Sequence, residues 1–67
     1  MPFRIQKNKN DAGWRIKKLD DGKLVPTVYK TKQSAINTAS NWMRYESHGK
    51  AKLKVKDNVV ATDRYFK

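Results

Sequence analysis

The residues best placed to do chemistry are cations at alternate positions. Lys50, Lys52, Lys54 and Lys56 interleave with Ala51, Leu53 and Val55. Arg4 and Gln6, then Arg15 and Lys17, repeat that alternation nearer the N-terminus. A period of two puts every second side chain of a strand on one side of its sheet. The spacing therefore gathers positive charge on one face. Such a face suits a polyanion, because each Lys or Arg set against a phosphate releases a condensed counterion. The whole chain agrees in sign: 16 Lys and Arg stand against 6 Asp and Glu in 67 residues, a formal net charge of +10. A domain with that excess repels itself and attracts anions.

Other chemistries lack their residues. His48 is the single histidine, and it closes a helical stretch, where a cap contact accounts for it. No Ser has a second His or a buried acid to work with, so nucleophilic triad logic fails. Asp20 and Asp21 are adjacent acids in a turn, which suits a loop better than general acid-base work. The three glycines, Gly13, Gly22 and Gly49, are spread along the chain and build no phosphate-cradling loop. With no cysteine there is no disulfide and no thiolate metal site. The expectation is a non-enzyme without cofactor or metal. The charge also has the wrong sign for a DNA-mimicking inhibitor.

The cations need elements to hold them. Phe3 to Lys7 alternates apolar and polar, as a half-buried strand does. Asn8 to Gly13 is rich in turn formers, and Trp14 to Lys17 alternates again, which reads as a hairpin. Asp20-Asp21-Gly22-Lys23 is a second turn, with Gly22 suited to a positive φ. Residues 24–30 read as a third strand, at an edge or broken near its start because Pro26 cannot donate to a ladder. Ala35, Ile36, Ala39, Trp42 and Met43 then fall on one helical stripe. Thr31 is the expected N-cap and Gly49 the left-handed stop, giving a helix over residues 32–46. Strands over residues 50–56 and 59–62 follow, joined by a turn at Asp57-Asn58, with a short tail from Asp63.

One amphipathic helix and several amphipathic strands have an economical arrangement, two layers around one core. The predicted fold is α+β: an antiparallel sheet of four to five strands, one helix packed on one face, in the order β-β-β-α-β-β. One small domain covers residues 1–67. Phe3, Ile5, Trp14, Ile16, Leu53 and Val55 then face the helix. Arg4, Gln6, Arg15, Lys17, Lys52, Lys54 and Lys56 face away, and Tyr29 is placed with them. A merely solvated face would mix signs. Here the acids Asp11, Asp20, Asp21 and Asp57 all fall in turns. On the helix, Ser34, Asn37, Thr38, Asn41 and Tyr45 make a polar, nearly uncharged outer face, while Trp14 and Trp42 belong inside.

Two resemblances add to this. Gly13-Trp14-Arg15, Asp21-Gly22-Lys23 and the run from Tyr29 to Ala35, ending in Trp42, resemble the arm-type DNA-binding domain of tyrosine-family integrases over residues 12–43. That resemblance implies a three-stranded sheet followed by a helix, the sheet laid in the DNA major groove with Arg15 and Lys17 on its groove side. The chain departs from it in an extra N-terminal strand, a C-terminal hairpin and the lack of a catalytic domain. The whole chain is also similar to a family of small bacterial and phage proteins of unknown function. Gly13-Trp14, the helix start Thr31-Lys32-Gln33-Ser34-Ala35 and the final strand pair over residues 53–60 fit that layout. Asn58 stands where that family usually has glycine. This second resemblance implies a fold and no activity.

Two readings of the basic face follow. The first is a nucleic-acid-binding protein, preferentially of duplex DNA, with Arg4, Gln6, Arg15, Lys17, Tyr29, Lys52, Lys54 and Lys56 as its contacts. DNA is preferred to RNA because no signature of exposed sheet aromatics is present. The second is a phage or bacterial accessory or inhibitor protein that sets the same surface against an acidic patch on a host protein. No small-molecule substrate is implied by either. No apolar run approaches the ~18 residues of a membrane span, and Met1-Pro2-Phe3-Arg4 has no apolar stretch of the secretory type. The expected location is the cytoplasm, at the nucleoid if DNA is the partner.

Overall fold

The computed structural model describes residues 2–9, 12–50 and 52–66. Two strands, β1 (Phe3–Lys7) and β2 (Trp14–Lys18), precede a helix, α1 (Lys32–Glu46). Strands β3 (Leu53–Lys56) and β4 (Val59–Thr62) and a 3-10 turn over Asp63–Phe66 follow it. The four strands form one antiparallel sheet in the order β2-β1-β4-β3. The α+β two-layer expectation holds, with four strands in the sheet.

Pairing fixes which side chains share a face. Ile5 lies opposite Ile16, and Phe3 lies between Lys18 and Val60. Ile5, Ile16 and Val60 are fully buried, and they meet Ala35, Ala39 and Met43 of α1. The small residues Ala35 and Ala39 let the helix approach the sheet closely. Trp42 covers the end of this core, its ring 5.6 Å from that of Phe3 in an edge-on arrangement favourable for aromatics. Trp14 and Trp42 are half-buried and pack against the core from its margins.

The helix begins and ends where its capping residues say it should. Thr31 has an extended backbone, and its Oγ1 accepts from the Ser34 N–H at 3.0 Å. At the other end the Gly49 N–H donates to the Arg44 carbonyl at 2.8 Å, and His48 N–H to Tyr45 at 3.2 Å. That is the Schellman pattern. Its left-handed position is held by His48, at φ 55, and Gly49 follows at φ 75.

The third strand expected over residues 24–30 does not form. The segment touches β2 through two isolated bridges, Lys17 with Leu24 and Trp14 with Tyr29. Three steps along β2 are thus matched by five along the segment, so two residues bulge out. Pro26 lies in that bulge and has no N–H to offer the ladder. The observed order is β-β-α-β-β, with residues 24–29 as an irregular border along β2. Gly13 permits that border. It sits at φ +119, and a Cβ there would come within 2.7 Å of Val28 Cγ1 and 2.8 Å of the Tyr29 carbonyl oxygen. The β3–β4 turn needs left-handed backbone at both central residues, and Asp57 (φ 52) and Asn58 (φ 64) supply it without glycine. The expected start of β3 at Lys50 is trimmed to Leu53, and Ala51 lies outside the described residues.

Candidate nucleic-acid interface

Antiparallel partners share a face, so the register assembles the basic surface row by row. Lys17 of β2 lies opposite Arg4 of β1, Arg4 opposite Val59 of β4, and Val59 opposite Lys56 of β3. One row across the whole sheet thus reads Lys17, Arg4, Val59, Lys56. Arg15 and Gln6 form a neighbouring row, and Lys54 with Ala61 another. All of these lie on the face turned away from Ile5, Ile16, Val60 and the helix. Lys52 continues the series, its carbonyl accepting from the Asp63 N–H at 3.0 Å. Arg4, Lys52, Lys54 and Lys56 are exposed, and Gln6, Arg15 and Lys17 are half-buried.

Seven of the eight expected contacts therefore belong to one surface, and Tyr29 does not. Its backbone pairs with Trp14 in both directions, N to O at 2.7 and 2.8 Å, which places it on the helix side. There it is half-buried against the core. A bulge of two residues leaves a period of two in phase: with Leu24 set opposite Lys17 on the outer face, Tyr29, five positions on, falls on the helix side.

Arg15 is held more firmly than the sequence predicted. Its Nε donates to the Val25 carbonyl at 3.0 Å, tying the irregular border to β2. This leaves the terminal Nη groups of the guanidinium to meet an anion end-on. The described acids lie in turns and at the ends of elements. Asp20 and Asp21 accept from backbone N–H groups of their own turn, Asp21 from Lys23 at 2.8 Å. Asp57 is in the β3–β4 turn, Glu46 ends α1 and Asp63 opens the 3-10 turn. Asp11 lies outside the described residues. No strand residue on the basic face is acidic.

One feature of this face was missed. Val59 and Ala61 point to the same side as Arg4 and Lys54, yet they are 8% and 1% exposed. Side chains so little exposed are covered, so the centre of this face is buried and apolar between basic flanks, not open sheet as expected. The continuous run Val59-Val60-Ala61 carried the signal, since an uninterrupted apolar strand is one buried on both sides. A second missed feature lies at the other side of the sheet. The Nζ atoms of Lys7 and Lys32 sit 5.8 and 5.7 Å from the Trp14 ring, both within cation-π range.

The remaining surfaces offer less. On α1, Thr38 Oγ1 donates to the Ser34 carbonyl at 2.9 Å, and Gln33 donates to Asn37 at 2.9 Å. The polar helix face thus spends much of its bonding on itself, although Tyr45 stands 86% exposed. A cleft of about 530 Å³ runs between the C-terminal half of α1 and residues 23–26, with Val25, Pro26 and Trp42 as apolar lining and Lys18, Lys23 and Glu46 as its charged lining. Among the described residues no three His, Cys, Asp or Glu side chains come together to hold a metal ion. No described helix is long and apolar enough to cross a membrane.

Comparison with protein-family models, with curated proteins and with solved structures finds no match to this chain.

Proposed function

We propose that this protein binds nucleic acid, preferentially duplex DNA, through the basic face of its sheet. The observation that carries the reading is the row Lys17, Arg4, Val59, Lys56, in which cations from three strands align without an acid among them. Arg4 directly opposite Lys17 is a like-charge pair that weakens a sheet. A polyanion relieves that repulsion.

The dimensions suit phosphates better than base edges. Three strand spacings of ~4.8 Å make the row about 14 Å across. The major groove is ~12 Å wide and admits a two-stranded ribbon or a helix. A four-stranded face is too broad to enter it, so the basic flanks straddle the groove and meet phosphates on its two sides. Val59 and Ala61 in the middle have no side-chain donor or acceptor with which to read bases. Arg15 keeps only its terminal nitrogens free. The reading is therefore of a binder that positions itself on the backbone with little base discrimination. The cytoplasm, at the nucleoid, is the place where such a partner would be met.

Amide shift mapping of the full chain against a random-sequence duplex tests this. Shifts concentrated at Arg4, Arg15, Lys17, Lys54 and Lys56, and lost on charge reversal of Arg4 and Lys17 together, are the expected result. Shifts centred on Ser34, Asn41 and Tyr45 of α1 would contradict the docking surface. No shifts at low salt would contradict nucleic-acid binding.

A further inference from the structure

We infer that the outer edge of β3 is a docking edge for an extended acidic segment of another protein, one that alternates Asp or Glu with apolar residues. The sheet has two edges. That of β2 is covered: Trp14, Ile16 and Lys18 exchange backbone hydrogen bonds with residues 23–29. Among the described residues no strand pairs with the outer side of β3.

Hydrogen bonding alternates along an antiparallel ladder. The Lys52 carbonyl bonds inward to Asp63, so Lys54 and Lys56 also bond inward to β4. Leu53 and Val55 must then direct their N–H and C=O groups outward. Each offers one donor and one acceptor to an incoming strand. The Val55 side chain, 46% exposed on the helix side, adds an apolar contact beside them.

Charge decides the occupant. Lysine fills every even position from 52 to 56. A second copy of β3 pairing antiparallel must match even with even positions to keep its apolar residues on the helix side. Every such register sets Lys against Lys, which is destabilising at directly opposed positions. A segment with acids at alternate positions reverses that sign. Its carboxylates fall beside Lys52, Lys54 and Lys56, and its apolar residues beside Leu53 and Val55. The backbone groups of this edge are ones that duplex binding does not use, while Lys52, Lys54 and Lys56 are shared with the reading above, so the two partners would compete for them.

The test is a titration of the isotope-labelled full chain with an end-blocked peptide of about seven residues alternating Glu and Val, long enough to span the strand. The expected result is shifts at the Leu53 and Val55 amides. Val55→Pro removes an outward donor but no inward bond, and is expected to weaken binding at least about tenfold. Circular dichroism checks that this variant is folded. A peptide N-methylated at alternate positions removes the same bonds from the other side, and is expected to lose binding whatever the fate of the variant. Equal binding by the N-methylated peptide, or by one of the same composition with its acids grouped, would overturn the proposal. So would sedimentation of the free chain as a dimer with Val55 at its contact, or protection of the Val55 amide by duplex DNA and not by the peptide.

Discussion

Gly13 illustrates how one residue governs a surface it does not belong to. Its missing side chain lets Val28 and Tyr29 approach, with Tyr29 then bonded to Trp14 in both directions. That pairing turns Tyr29 to the helix side and closes the border along β2. Gly13→Ala brings a Cβ within 2.8 Å of a backbone oxygen at φ +119, where both crowding and backbone strain oppose it. The expected cost is about 2 kcal/mol, within the range for strained backbone, read from the urea midpoint with an unchanged m-value. Arg15 shows a different residue-scale effect. Its type and phase made it an expected contact of the basic face from sequence, but its bond to the Val25 carbonyl gives it a structural duty as well. No pattern in the chain foretells that bond, because it depends on the bulge at Pro26.

At the level of elements, most of the fold was legible, and the reasons are local. β1 and α1 follow from alternation, from the helical stripe and from Thr31 as a cap, and their bounds match the expectation. The segment over residues 24–29 failed as a strand because Pro26 breaks the ladder and the chain bulges around it. β4 was found, but its burial on both faces was not, since the three-residue apolar run Val59-Val60-Ala61 was read only as part of a strand. The basic face itself was legible because a period of two needs no tertiary information once one side is known to be buried. The helix stop carries a prediction of its own. His48 occupies the left-handed position of the Schellman motif, where a Cβ is unfavourable. His48→Gly should stabilise the fold by about 1 kcal/mol and raise Tm by roughly 4–8 °C for a domain of this size, as a thermal melt would show. An unchanged or lowered Tm would mean that the imidazole makes a contact worth more than the strain.

On the scale of the whole molecule, a net charge of +10 is spread over a chain of 67 residues, and the fold sorts part of it onto one side. Arg4, Arg15, Lys17, Lys54 and Lys56 share a face with an apolar centre, and Lys52 extends it. The described acids are used in turns and at element ends, and only Asp63, paired with Lys52 through the backbone, borders that face. On the proposed reading this surface makes phosphate contacts, and those have a measurable signature. The measurement that tests this most directly is the salt dependence of duplex affinity for the native chain and for the Lys54→Gln, Lys56→Gln double variant. Six engaged cations predict a slope of log K against log salt of about −5, and the double variant should flatten it by about 2. A shallow slope near −1, or one that the double variant leaves unchanged, would contradict the sheet face as the site of binding.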